Sequence, residues 1–308
     1  MSEQAPQDYF RNTGQSRLAF NAVDLKFFLK MRSFIEIAMP PMFAHLEREV
    51  GMFSLRQKGI APIMFFLDFH ALPLRLSFGR PVETESRISV HRHVSEGKDG
   101  TPGRSRLLLD MRADLKAYEG KPTKGGLGYE PDKGELKEAG TARVLQIFTK
   151  PMAPRGERDV TEPPEEFRSL NVLPWDEPFP SPELLGDIPS DHEERTTPGW
   201  SEDISVWGMP NTDINQHVNV EEYISGLENQ FSRLLYGAGL SLPDHRVSAA
   251  RLLFRKPFFP GQVYGTSGRL FVKGNETLFI GGVHQASPEG KLEDKPNIVA
   301  RFQGEIRA

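Results

Sequence analysis

Apolar residues recur at helical spacing in two places along the chain. Over residues 26–50, Phe27, Met31, Phe34, Ile35, Ala38, Met42 and Leu46 fall on one helical face. Pro40 and Pro41 interrupt that face. They predict a kink or two helices, because proline lacks the N–H and crowds the preceding turn. The second stripe is cleaner: Val220, Tyr223, Ile224, Leu227, Phe231, Leu234 and Leu235. Asn219 suits its N-cap, Glu222 three residues later predicts a capping box, and Gly237 and Gly239 predict the stop.

Each helix is followed by similar strand signals. Leu76-Ser77-Phe78-Gly79-Arg80-Pro81-Val82 and Leu252-Leu253-Phe254-Arg255-Lys256-Pro257-Phe258 share a Leu-x-Phe-x-basic-Pro-apolar lead-in. Alternating segments follow at 84–92, 105–118 and 141–148, and again at 262–272, 277–285 and 297–306. Ala142-Arg143 and Ala300-Arg301 sit in the closing strand of each set. The shared order predicts an internal duplication, each half one long helix against an antiparallel sheet, an α+β arrangement. Between the halves, residues 151–199 hold ten of the 25 prolines and little periodicity, so they predict a linker. Phe167, Leu170, Val172, Leu173, Trp175 and Phe179 make it too apolar for a free tether, so it is expected to pack on a domain surface.

Composition narrows the class. A chain of 308 residues, 38% apolar and 26% charged, is globular and long enough for about two domains. The absence of cysteine excludes disulfides, thiolate metal sites and a cysteine nucleophile. A net charge of −4 argues against a nucleic-acid partner. The N-terminal residues lack the apolar run of a signal peptide, and no stretch is apolar enough for a membrane-spanning helix, so a cytoplasmic location is expected.

The chemistry is concentrated in Asn211-Thr212-Asp213-Ile214-Asn215-Gln216-His217-Val218-Asn219, directly before the second helix. Asp213, Asn215 and His217 alternate, so in an extended segment their side chains share one side. They would converge on a helix N-terminus, whose N–H groups and partial positive charge can polarise a carbonyl. Asp213 could act as base or nucleophile, His217 could carry a proton and Asn215 could orient water or substrate. The competing reading is that the same residues form an ordinary polar turn and cap.

With Tyr223 on the following helix, this motif resembles the signature of the acyl-acyl carrier protein thioesterases of plant and bacterial type. It is also similar to the looser Asp-x-x-Gly-His-Val-Asn pattern of the 4-hydroxybenzoyl-CoA thioesterase-like proteins, with Gln216 in the Gly position. The resemblance implies a tandem double hotdog: an N-terminal hotdog over 1–150 without the motif, a packed linker over 151–199, and a motif-bearing hotdog over 200–308. It implies hydrolysis of an acyl thioester of CoA or acyl carrier protein, in fatty acid or polyketide metabolism. Asp213 would be nucleophile or base, with Asn215 and His217 supporting it at the carbonyl. No metal or redox cofactor is implied. The expected partners are the acyl thioester and a second copy of the chain, with neither nucleic acid nor membrane.

Asn219 and Tyr223 are expected to border the substrate. Phe34 and Met42, on a first helix rich in Phe and Met, could line an acyl pocket or simply fill core. One departure matters: the plant-type family carries a further acid after the aromatic-basic-basic run, and here Phe254-Arg255-Lys256 is followed by Pro257. Glu221, Glu222 or Glu228 could replace it, or could be solvated-face and cap residues. If Asn21 aligns with Asn219, the first half holds Gln15, Arg17 and Ala19 at the motif positions, so one active site is expected. His93-x3-Gly97-x4-Pro102 matches a polyketide dehydratase pattern, but in a loop after a strand rather than before the helix. Asp213-x-Asn215 also fits part of the hotdog enoyl-thioester hydratase motif, without its Pro and with His217 one residue early. Gly125-Gly126-Leu127-Gly128 lacks the following helix of a phosphate loop. A hydratase or dehydratase, and a non-catalytic acyl-carrier binding protein, are therefore the alternative functions.

Overall fold

The computed structural model describes the chain except for residues 1–6, 20, 21, 25, 78, 79, 97–101, 123–128, 132–135, 155, 201, 213–216 and 308. The first half runs β1 (Phe10–Ser16), α1 (Met31–Val50), α2 (Met52–Gln57), β2 (Ala61–Ala71), β3 (Val82–Glu96), β4 (Pro102–Ala117), β5 (Gly120–Pro122), β6 (Tyr129–Pro131) and β7 (Lys137–Thr149). A connecting segment follows with β8 (Val172–Pro174), α3 (Pro182–Gly186) and β9 (Glu193–Glu194). The second half holds β10 (Glu202–Val206), α4 (Val220–Gly237), β11 (His245–Phe254), β12 (Val263–Lys273), β13 (Glu276–Gln285) and β14 (Ile298–Ile306).

The sheet order is β1-β3-β4-β7-β2-β11-β14-β13-β12-β10. Read outward from the antiparallel β2–β11 seam, the two halves repeat one topology, with β1, β2, β3, β4 and β7 matched by β10, β11, β12, β13 and β14. The helices α1 and α4 match in the same way. This is a tandem double hotdog. Ala142-Arg143 and Ala300-Arg301 occupy the equivalent strands β7 and β14. The proposed lead-ins are not equivalent: residues 252–254 end β11, whereas Leu76 lies between β2 and β3.

Both helices share one apolar core with the sheet. On α4 the buried residues include Tyr223, Ile224, Leu227, Phe231, Leu234 and Leu235, the stripe expected from spacing. On α1 the prolines break nothing: the helix is continuous from Met31 to Val50, and the interruption comes at Gly51, with φ 69°. Pro41 cannot donate to the Ile37 carbonyl, but the Ser16 hydroxyl of β1 donates to it at 2.9 Å. The helix also starts later than its apolar pattern. The Asp24 carboxylate accepts the Lys26 and Phe28 N–H groups at 2.8 and 3.0 Å, shaping a turn where helix was expected.

Residues 66, 145, 253 and 299 alternate with neighbours in the main core, so they face the other side of the sheet. There Phe66, Leu145, Leu253 and Val299 form a second cluster with Leu185 of α3, and Trp175 packs against it. The connecting segment therefore crosses this outer face, with β8 parallel to β3 and β9 antiparallel to β12. His93, from the dehydratase-like pattern, stacks near Phe179 of this segment, ring centroids 4.3 Å apart. Burial, then the nearby Arg106 charge, lowers its pKa. Gly97 of that pattern and Gly125-Gly126-Leu127-Gly128 lie outside the described residues.

Candidate active site at the helix mouths

The motif region is held by its ends. Thr212 bridges to Val218, and the Asn219 N–H donates to the Asn211 carbonyl at 2.8 Å. The Val218 N–H donates to the Phe258 carbonyl at 3.0 Å, and the Phe258 N–H donates to the Tyr223 hydroxyl at 3.2 Å. The turn after β11 is thereby zipped to the first turn of α4. Beneath it Trp207 stacks on Tyr264 at 3.7 Å and meets Tyr223 edge-on at 5.5 Å. Asp213 and Asn215 lie outside the described residues. His217 is half-buried, edge-on to Phe259 with centroids 5.1 Å apart.

Asn219 is the N-cap of α4, in extended conformation, but its side chain makes no capping hydrogen bond. The expected capping box does not form. The Glu222 carboxylate instead accepts from the Asn211 side-chain amide at 3.0 Å, while Asn211 Oδ1 accepts the Gly208 N–H at 2.9 Å. Tyr223 is buried to 3% exposure, so its visible work is to brace the mouth. Phe34 stacks on Phe69 at 5.5 Å, and Phe34 and Met42 are both fully buried in the main core on α1. Pro257 is exposed in the turn after β11.

The first half carries the same loop. Val23 bridges to Leu29 as Thr212 does to Val218, and the Lys30 N–H donates to the Ala22 carbonyl as Asn219 does to Asn211. Lys30 is also the N-cap of α1, in the same extended conformation. Lys30, not Asn21, is thus the counterpart of Asn219. Counting back from the caps, Asp24, Lys26 and Phe28 stand where Asp213, Asn215 and His217 stand, replacing the expected Gln15, Arg17 and Ala19. The sequence alone concealed this because the shared features are backbone contacts.

Beside the first mouth lies a cavity of about 420 Å³ between α1 and α4. Leu29, Arg32, Ser225, Glu228, Ser232 and His245 are among its lining residues. Met31 and Arg32 face Glu228 while Glu36 faces Glu221, so the helices cross antiparallel. Glu228 is half-buried at the edge of this cavity. Burial pushes its pKa up to about 7, opposed by the Lys30 charge and then by the nearby Arg32 and Met31 N–H groups. Burial also raises Glu221, followed by repulsion from Glu36. His245 is pushed down to about 4 by burial and is neutral, its Nε2 2.8 Å from the Thr277 hydroxyl. The sequence offered Glu228, with Glu221 and Glu222, either as a replacement for the missing acid or as a solvated or capping residue. Only its helical phase could have hinted at this burial, since it follows Leu227 at the edge of the apolar stripe.

Among the described residues no three His, Asp or Glu side chains gather to hold a metal, and no helix is long and apolar enough to cross a membrane. No family model matches the chain, and no curated protein matches it in sequence. Solved structures do share its fold. A protein described as a candidate oleoyl thioesterase from Lactobacillus plantarum aligns with TM-score 0.63 and 10% identity, over 99% of this chain and 98% of that one. An acyl-ACP thioesterase from Bacteroides thetaiotaomicron aligns with TM-score 0.56 and 15% identity, over 96% and 98%. A 12:0-ACP thioesterase from Umbellularia californica aligns with TM-score 0.53 and 14% identity, over 97% and 98%. At such identities the likeness is one of fold.

Proposed function

We propose that this chain hydrolyses an acyl thioester of acyl carrier protein or CoA, with Asp213, Asn215 and His217 as its reacting groups. The observation that carries the reading is the full-length fold shared with three proteins described as thioesterases. The motif before α4 of the second half supports it. In this reading the thioester carbonyl sits at the mouth of α4, where unpaired N–H groups favour a developing oxyanion. The Asp213 carboxylate takes a proton from water, whose oxygen bonds to the carbonyl carbon, or it attacks that carbon itself and forms an acyl anhydride that water then cleaves. His217 returns a proton to the departing sulfur, and Asn215 orients the water or carbonyl. The products are the free acid and the free thiol. Phe34 and Met42 border the acyl chain, and Asn219 and Tyr223 border its thioester.

The Tyr223–Phe258 contact supports a preformed mouth, since it fixes the turn after β11 against α4 before any substrate arrives. Pro257, where the plant-type family has an acid, favours a second reading, an acyl-carrier binding protein without turnover. Free-thiol release from a panel of acyl-ACP and acyl-CoA substrates separates the two. Wild type should turn over, with Asp213→Asn lowering the rate by ~10²–10⁴-fold and His217→Ala also impairing it. Turnover of Asp213→Asn within about threefold of wild type would remove Asp213 from the chemistry.

A further inference from the structure

The fold builds the loop before a long helix twice, and the two copies differ in what holds them. Their backbone contacts coincide. In the second half the Asn211 N–H donates to the Gly208 carbonyl at 3.1 Å, and the Glu222 N–H to the Asn219 carbonyl at 3.1 Å. In the first half the Ala22 N–H donates to the Ala19 carbonyl at 3.0 Å, and the Ser33 N–H to the Lys30 carbonyl at 3.1 Å. Together with the Asn219–Asn211 and Lys30–Ala22 bonds, these match Asn211 with Ala22 and Glu222 with Ser33. The side chains do not coincide. The first loop is shaped from inside, by the Asp24 carboxylate on the Lys26 and Phe28 N–H groups. Ala22 offers no polar side chain, so nothing can reach from it to α1. The second loop is held from outside. Asn211 Nδ2 donates to the Glu222 carboxylate in the first turn of α4 at 3.0 Å, and Asn211 Oδ1 accepts the Gly208 N–H at 2.9 Å.

We infer that Asn211, acting through Glu222, is a positioning residue of the proposed hydrolysis, holding the loop that carries the reacting groups. The inference rests on the acyl-thioester reading above. Asp24 commits a carboxylate oxygen to the N–H groups of its own loop. Asp213 stands at the same place in the second loop, and in that reading its carboxylate is kept for water or the thioester carbonyl. The second loop therefore needs a hold that does not use that carboxylate, and the Asn211–Glu222 pair supplies it. A primary amide suits the task, because it accepts at one atom, donates at the other and does not ionise. Its bond to a carboxylate is charge-assisted and so among the stronger hydrogen bonds. The same bond turns Glu222 away from the capping box, while the Asn211 carbonyl takes the Asn219 N–H. The pair occurs only in the half that carries the motif, although the other half forms the same backbone without it. Its work is thus not to make the loop but to fix where the loop sits on α4. Misplacing a reacting group by about 1 Å can cost ~10²-fold in rate.

Steady-state thiol release, with kcat and KM read separately, and urea unfolding together test the inference. Ala22 shows that alanine fits this backbone, so Asn211→Ala should fold. It should lose ~10²-fold in kcat, with KM within about threefold of wild type. Asn211→Asp sets two carboxylates against each other and should lose as much. Adding Glu222→Gln to Asn211→Asp exchanges donor and acceptor: the new amide donates to the new carboxylate, and the Gly208 N–H keeps its acceptor. This double variant should regain a kcat within about fivefold of wild type, and it carries the test should Asn211→Ala fail to fold. A brace with no part in positioning would shift the urea midpoint and leave the kcat of folded protein unchanged. A kcat within about threefold of wild type in folded Asn211→Ala would therefore overturn the positioning role and leave the proposed function standing. So would a double variant that regains stability without regaining kcat. No thiol release from folded wild type would overturn both.

Discussion

Replacing Glu228 by Gln isolates the cost of a buried carboxylate without changing its shape. Gln keeps an oxygen able to accept the Met31 and Arg32 N–H groups, but it never ionises. In the folded chain Glu228 titrates at about 7 rather than at the ordinary 4.5. The folded state therefore binds this proton more tightly than the unfolded state. Its stabilising contribution is complete below about pH 4.5, is lost as pH rises through about 7, and is flat above that. At about 1.4 kcal/mol per pH unit, the rise corresponds to roughly 3 kcal/mol, an upper value because local relaxation softens it. Urea unfolding of both proteins at pH 5, 6, 7 and 8 reads the effect, and other titrating groups cancel in the difference. Wild type and Glu228→Gln should be nearly equal at pH 5, with the variant gaining about 2–3 kcal/mol by pH 8. A stability difference independent of pH would refute the reasoning. So would a wild type that gains on the variant as pH rises, because hydrogen bonding to α1 would then outweigh burial.

Two further substitutions test the supports of the fold. Tyr223→Phe leaves the buried Phe258 N–H without its acceptor and should cost about 1–3 kcal/mol. Hydrogen exchange at the Phe258 amide should accelerate, and an unchanged rate would mean that the turn after β11 is held by other contacts. Ser16→Ala removes the donor to the Ile37 carbonyl that Pro41 leaves unpaired, and should cost about 1–2 kcal/mol by urea unfolding. Pro41→Ala in the same background should recover part of that loss, since alanine restores the helical N–H; no recovery would break the proposed link between the two residues.

Much of the architecture was legible because one face of each element is buried and the other is wet. β3 alternates buried and half-exposed residues from Val82 to Val90, and its period of two is visible in the chain. The α4 stripe is equally plain. β2 was missed because it lies at the seam, where Leu67 and Phe69 face the main core and Phe66 faces the outer cluster. A strand covered on both sides does not alternate. The edge strands β1 and β10 escaped for the opposite reason: β10 is exposed along its whole length and carries no strong apolar pattern.

The motif before α4, the duplication and the long helices were determined by the sequence itself, through local spacing and repeated order. The fate of individual polar groups was decided only by tertiary structure. Asn219 and Glu222 have the spacing of a capping box, yet Asn211 draws Glu222 away. Pro40 and Pro41 have the look of a helix break, yet Ser16 from a neighbouring strand satisfies a carbonyl they leave free. Glu228 resembles any acid beside an apolar stripe, yet the fold brings it to the opposite helix's N-terminus and holds it near neutral pKa. Periodicity is a property of neighbours in the chain, whereas desolvation and hydrogen-bond partners depend on groups far away along it. Those groups meet only once both halves have closed around one core.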